Sequence, residues 1–266
     1  TTVFADTSII MQVAGFNHFK KKDSDDFAGV VFAMLGIMNA NHQMNSQNTN
    51  VGGWASCGMR TWLNETIFAA LPRQWQSMIK IVQVRSSIGD TKADISTSND
   101  RLFLLSRAEV GFNVNDVPYK DEVDPDAENV TFALFTDNNS RIKKTYNGTG
   151  SASNWWLRSP EASSSSSFAN VNNNGNSNNN NASNSYGVAF GSSRARQSNL
   201  RGEIRAEWRE GALDLPAKVN ICPDASGRTL LAWYGLQVIP YFMPGDAMCL
   251  LQPADRHTGQ ARFHFI

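Results

Sequence analysis

Cysteine is scarce in this chain. The 266 residues hold only Cys57, Cys222 and Cys249, too few and too widely spaced for a disulfide framework or a four-thiolate zinc site. An excess of charge of either sign is missing too: 24 basic and 24 acidic side chains cancel to a formal net charge of zero. A dedicated binder of nucleic acid or of an anionic membrane needs a basic excess, so neither partner is expected. No apolar run approaches the roughly 20 residues of a membrane helix. Residues 9–13 and 27–38 both fall short, and no basic-then-apolar leader opens the chain, so membrane insertion is not expected. Phosphate loops, dinucleotide fingerprints and Gly-x-Ser-x-Gly elbows are absent. The four histidines, His18, His42, His257 and His264, stand far apart without metal-ligand spacing. These absences predict a soluble globular protein of one large domain, or of one domain with an appendage.

What is present begins with local periodicity. Ile9, Met11 and Val13 alternate before Gly15 and predict an extended segment. The mixed charges of residues 20–26 read as a solvated loop. Met59, Trp62, Leu63, Ile67 and Ala70 recur at helical spacing, and Pro72 stops the helix. Trp75, Met78, Ile79 and Val82 continue on a second helical or mixed segment. Leu102, Phe103, Leu104 and Leu105 predict a buried strand, and Ser106 with Glu109 three residues on predicts a capped turn. Residues 112–129 read as a solvated acidic loop. Asp124, Asp126 and Glu128 invite a calcium site, but Asn129 and Phe135 stand where a helix–loop–helix site needs Gly and an acid. No cofactor is assigned; a non-standard calcium site stays open as the alternative. Cys57, without a neighbouring base, reads as a structural thiol rather than a nucleophile.

Composition changes sharply at residues 151–185. Trp155-Trp156-Leu157-Arg158-Ser159-Pro160 leads into five serines and then a tract dominated by asparagine. Composition alone allows a disordered linker. Against that, Phe168, Val171, Gly175, Ala182, Tyr186, Val188 and Phe190 are spaced as anchors. Asn174-Gly175 stands where a two-residue hairpin turn would go. The ordered reading makes 168–173 and 176–181 paired strands, with 186–190 a further strand. Asparagine carries a donor and an acceptor on a short stem, yet neither titrates nor attacks. A rigid array of it suits recognition better than bond-breaking, much as adaptable polar residues and Tyr share antibody-like paratopes. No catalytic residue is assigned.

Gly52-Gly53-Trp54, Met59-Arg60-Thr61-Trp62-Leu63-Asn64, Leu71-Pro72, Leu102-Phe103-Leu104, Glu109-Val110-Gly111 and above all Trp155 to Pro160 resemble a C-type-lectin-fold family. Its lectin-like domains occur in gut bacteria, their phages and prophages. Within that family, residues 167–171 through 186–191 look like the variable region of diversity-generating retroelement target proteins. The similarity spans roughly residues 8 to 191.

The resemblance implies an α+β C-type lectin fold, with short helices flanking antiparallel sheet and hairpins. It implies a ligand-display domain over residues 1–191, variable over about 161–191. The family pattern does not account for residues 192–266, whose strand-like runs at 212–221, 229–240 and 262–266 predict a strand-rich extension that completes the domain or serves assembly. Adenine-directed mutagenesis turns Asn codons of the adenine-adenine-pyrimidine kind into many others without creating stops, so the Asn tract looks template-like. The implied ligand-binding face is Asn170, Asn172, Asn174, Asn176, Asn178, Asn179, Asn180, Asn181 and Asn184, with Tyr186. Trp155, Trp156 and Arg158 are implied to support the sheet beneath it.

The implied function is ligand binding by a phage receptor-binding or tail-associated protein, or by a bacterial surface protein. The implied location is accordingly a virion or a cell surface, and the implied partners are a cell-surface or protein ligand, other virion or surface-assembly subunits, and further copies in a homo-oligomer. Two alternatives stay open. One is an architectural virion subunit, such as a capsid decoration or tail component, without ligand recognition. The other is an enzyme related to formylglycine-generating enzymes, which share the general fold and use a cysteine pair; Cys222 and Cys249 fall outside the matching region. Sugar-binding calcium lectins of this fold use Glu-Pro-Asn or Gln-Pro-Asp with Trp-Asn-Asp. This chain has Gln252-Pro253-Ala254-Asp255 and no Trp-Asn-Asp, so calcium-dependent carbohydrate binding is not implied.

Overall fold

A computed structural model of the chain describes residues 9–145 and 149–195, together with four strands at 221–223, 229–231, 249–252 and 262–265. The chain divides into two units, Thr1–Arg196 and Gln197–Ile266. In the first unit the alternating segment forms β1 (Met11–Phe16), and the apolar run after it forms β2 (Val30–Met34). They pair antiparallel from Met11 opposite Met34, with a register slip between Val13 and Gly15. The short strand β3 (His42–Gln43) follows.

The helical spacing at 59–70 produces one continuous rod: Gly58–Trp62, a wider turn at Leu63–Ile67, then Phe68–Ala70. Met59, Leu63 and Ile67 bury its inner stripe, and Pro72 ends it. Ala70 is exposed instead of joining that stripe, because the buried positions recur every fourth residue, at Met59, Leu63, Ile67 and Leu71, and Ala70 falls beside that line. The mixed segment resolves into a helix, Arg73–Met78, followed by β4 (Ile79–Lys80) and β5 (Val82–Ser87). Next come β6 (Ile95–Asp100) and β7 (Leu102–Leu104), the latter buried throughout. Ser106 and Glu109 close the expected reciprocal turn: the Ser106 N–H donates to Glu109 Oε2 at 2.8 Å and the Glu109 N–H to Ser106 Oγ at 3.2 Å.

The Trp-Trp segment is β8 (Trp155–Pro160), and the Ser/Asn tract is ordered as β9 (Ser167–Val171), β10 (Ser177–Asn181) and β11 (Ser185–Tyr186). β12 (Phe190–Arg194) returns to the first sheet, where it lies beside β2 and pairs on its other side with both β4 and β7. A second sheet has the order β10-β9-β8, while β3 pairs with β11 and β5 with β6. The expected single strand over 186–190 is therefore two, since Gly187 bridges Trp155 while the chain crosses between sheets. All named strand pairs are antiparallel. Short helices flanking several antiparallel sheets make an α+β fold.

Trp54, Trp155, Trp156, Phe103, Phe168 and Phe190 fill the core. In the second unit, Ile221–Pro223 pairs with Thr229–Leu231 and Cys249–Gln252 with Arg262–Phe265. Leu200, Ile204 and Trp208, which recur in the sequence at a spacing that predicts a helix, lie outside the described residues.

Candidate ligand-display site

The foundation of the Asn-rich hairpin is β8. Trp155, Trp156 and Arg158 are fully buried. The indole of Trp155 donates to the Arg141 carbonyl at 3.0 Å and that of Trp156 to the His42 carbonyl at 2.8 Å. Arg158 donates to both oxygens of Glu109 at 2.6 Å, and to the carbonyls of Arg85, Leu104 and Glu122 at 2.9, 2.9 and 3.0 Å. A buried guanidinium is tolerated when its donors are satisfied in this way. Burial alone would raise the Glu109 pKa; Arg158 and the His18 hydrogen bond outweigh it and hold the carboxyl at about 2.

On this base β9 is buried at all five positions, with Trp156 opposite Asn170 on one side and Asn178 opposite Asn170 on the other. The turn from β9 to β10 is longer than the two residues expected. The Asn172 N–H donates to the Asn176 carbonyl at 3.0 Å and the Gly175 N–H to the Asn172 carbonyl at 2.9 Å, enclosing Asn173, Asn174 and Gly175. Only Gly175 has a positive φ, 83°, so Asn174 does not serve as the left-handed residue of a two-residue turn. A Cβ on Gly175 would stand 1.8 Å from the Asn138 carbonyl oxygen, which shows how closely the turn rests on the helical turn Asn138–Arg141.

The expected display residues divide by their surroundings. Asn178, Asn179, Asn181 and Asn184 are exposed. Asn174 is exposed as well, and its Oδ1 accepts from the Asn176 N–H at 3.1 Å. Asn172 is half-buried and Asn176 exposed, but both hold the turn: Asn172 Oδ1 accepts from the Asn176 N–H at 3.0 Å, and Asn176 Oδ1 accepts from Asn138 Nδ2. Asn180 is half-buried and donates to Asn170 Oδ1 at 3.1 Å. Asn170 itself is fully buried, which corrects its assignment to the displayed face. It sits on the central strand, where both faces are covered. Tyr186 is half-buried and packs edge-on against Trp156, with ring centroids 5.0 Å apart.

Several supports escaped the sequence reading. Arg107 donates to Glu161 at 2.7 Å and to Ser177 Oγ at 2.7 Å, so an ion pair braces the start of β10. Tyr119 donates to Glu161 at 3.2 Å and lies under the Arg107 guanidinium. Asn50, fully buried, donates to the Ser164 and Ser167 carbonyls at 2.6 and 2.8 Å and pins the serine loop. These partners lie far apart in sequence, and no local spacing announces them.

Between Ala162 and Ser193 there is no charged side chain. The face therefore offers amide and hydroxyl hydrogen bonds and nothing that titrates near neutrality. Elsewhere, burial pushes the Cys57 thiol up to about 12, which keeps it protonated. The acidic loop is only partly solvated. Lys20 reaches Asp124 and Asp126 at 3.4 and 2.8 Å. Glu122 is buried, corrects the solvated expectation for its position, and accepts hydrogen bonds from Ser159 Oγ and, at 3.0 Å, from the Ser87 N–H. Among the described residues, no group of three or more His, Cys, Asp or Glu side chains could hold a metal. No described helix is long and apolar enough to cross a membrane.

Residues 28–206 match the model of a family described as a domain of unknown function, DUF6273. No curated protein and no solved structure matches the chain.

Proposed function

The chain belongs to the DUF6273 family, and we propose that it is a ligand-binding display protein whose Asn-rich strand and turn face the target. One observation carries this reading. β10 presents Asn178, Asn179 and Asn181 to solvent while its partner β9 is buried along its full length. A polar ribbon on a fixed backing can exchange its side chains at little cost to the fold, because exposed substitutions usually shift stability by under about 0.5 kcal/mol.

In this reading the scaffold is a C-type lectin fold, and the asparagines are the template-like state of a region diversified by a retroelement. The protein acts at a phage tail or capsid surface or at a bacterial surface, against a protein or other cell-surface ligand, as a homo-oligomer or alongside other assembly subunits. The burial pattern supports a division of labour within the tract. Exposed asparagines choose the ligand, Asn172 and Asn176 shape the turn, and Asn170 belongs to the scaffold.

Sequencing the locus in several isolates tests the proposal. Changes at adenines, concentrated in residues 163–186 and sparing Asn170 and Gly175, are the expected result. Uniform drift across the chain removes the case.

A further inference from the structure

β10 ends its sheet, and its outer edge carries backbone groups that no other described segment pairs. Antiparallel strands bond through alternate residues. The bonds at the two ends of the hairpin, Asn172 N–H to the Asn176 carbonyl at 3.0 Å and Ala182 N–H to the Ser166 carbonyl at 2.8 Å, set the phase. Asn178 and Asn180, opposite Asn170 and Phe168, turn their backbone groups toward β9. Ser177, Asn179 and Asn181 turn theirs outward. The Asn181 carbonyl takes the Asn184 N–H at 2.9 Å. The three outward N–H groups and the carbonyls of Ser177 and Asn179 are left open to a partner.

Sheet edges are ordinarily guarded by proline, charge, a bulge or a covering element. This edge has none of them among the described residues. Residues 177–181 contain no proline and no charged side chain, their register with β9 runs without a slip, and four of the five are exposed. Among the described residues, the cation that touches the strand, Arg107, is already neutralised by Glu161 at 2.7 Å.

We propose that an extended, uncharged segment of a partner polypeptide adds to this edge as a fourth strand. The proposal rests on the display reading and deepens it. Main-chain bonds to Ser177, Asn179 and Asn181 supply affinity that survives any exchange of side chains, while side chains at 178–181, alternating above and below, select the sequence that fits. An uncharged segment suits the site because a charge buried along it would meet no counter-ion.

The test pans the full chain against a phage-displayed library of 12-residue linear peptides, then synthesises an enriched peptide. Strand addition predicts that N-methyl groups placed singly along the peptide weaken binding at least tenfold at every second residue and little at those between. It also predicts that the amides of Ser177, Asn179 and Asn181 gain protection from hydrogen exchange on binding. Asn179→Pro removes one outward N–H without touching the ladder to β9, a position where an edge strand tolerates proline. It is expected to weaken binding at least tenfold with the melting temperature kept.

Failure to enrich any linear peptide, an N-methyl scan without alternation, or unchanged binding by Asn179→Pro overturns the proposal. So does a wild-type dimer that Asn179→Pro dissolves, since a second copy is then the occupant. Alternation that persists unchanged, at the same affinity, when Asn178, Asn179 and Asn181 are all alanine supports strand addition but overturns the display reading. Adenine-clustered variation at the locus without peptide enrichment does the reverse.

Discussion

Arg158 and Glu109 form a two-pronged ion pair in which both bonds measure 2.6 Å and neither side chain has solvent access. The pair ties β8, which carries the hairpin, to the turn behind β7. Removing one partner strands the other charge in the core, so Glu109→Gln is expected to cost about 3–5 kcal/mol, read from urea unfolding. The pair also sets an acid limit. Because the folded pKa of Glu109 is held down at about 2 against an ordinary 4.5, its contribution is present above pH 4.5 and lost as pH falls toward 2. Unfolding free energies measured between pH 5 and 2 should fall, and Glu109→Gln should flatten that fall.

Glu122 works in the opposite sense. Burial pushes its pKa up to about 7, against the pull of Arg158 and the hydrogen bonds from Ser159 and Ser87. A raised folded pKa means that its contribution is complete below pH 4.5 and lost as pH rises through 7. Glu122→Gln keeps an acceptor for the Ser87 N–H without the ionisation. It should match the wild type near pH 4.5 and exceed it by about 1–3 kcal/mol at pH 8. Equal pH profiles for the two proteins would show that the carboxyl ionises without cost.

The part of the fold legible in the sequence was the part carried by local pattern. Met59, Leu63 and Ile67 mark a helix by spacing alone, and Leu102 to Leu104 mark a buried strand. Phe168 and Val171 betrayed order in a tract whose composition suggests a linker. The two-residue turn failed because Asn-Gly fits two geometries. The longer loop prevails where Gly175 can rest on Asn138 and the Asn172 and Asn176 side chains close the hydrogen bonds. The burial of Asn170 was not legible, since an inward and an outward asparagine look alike until the strand on each side is known. Glu122 was hidden among solvated acids for the same reason: its partners, Ser87 and Ser159, lie 35 and 37 residues away.

Scaffold and display should separate in stability. Trp156 is fully buried and donates to His42, so Trp156→Ala is expected to cost roughly 3–5 kcal/mol. Asn178→Ala, Asn179→Ala and Asn181→Ala, on exposed side chains, should each shift stability by under about 0.5 kcal/mol. Thermal melting of the four variants decides it. Comparable losses from both sets would contradict the division.

Ligand binding at this face should respond little to pH or salt. No charged side chain occurs between Ala162 and Ser193, and the Arg107–Glu161 pair beside Ser177 is internally neutral. Surface charge interactions weaken as the Debye length shrinks from about 10 Å at 0.1 M salt to about 3 Å at 1 M, whereas neutral hydrogen bonds do not depend on it. The affinity for a selected peptide should stay within about threefold from pH 6 to 8.5 and from 0.1 to 0.5 M salt. A steep salt slope would place the contact on a charged surface elsewhere.

Gly175 is the position in the tract least able to change. Its φ of 83° lies where L side chains are rarely found, and an added Cβ would fall 1.8 Å from the Asn138 carbonyl oxygen and 3.0 Å from the Asn138 Cα. The obstacle is backbone, which cannot swing aside as a side chain end can. Gly175→Ala must therefore lift the turn off the Asn138–Arg141 helix, and that movement also pulls Asn176 away from Asn138. The left-handed backbone alone costs roughly 1–2 kcal/mol, and the displaced contact adds to it. The variant is expected to lose at least about 2 kcal/mol in urea unfolding while β8 and β9 keep their amide protection. Asn174→Ala, one residue earlier and exposed, gives up one acceptor and should lose about 1 kcal/mol or less. If the two substitutions prove equally mild, the turn is not held by the helix beneath it, and the fixed backing that the display face requires would have to come from β9 alone.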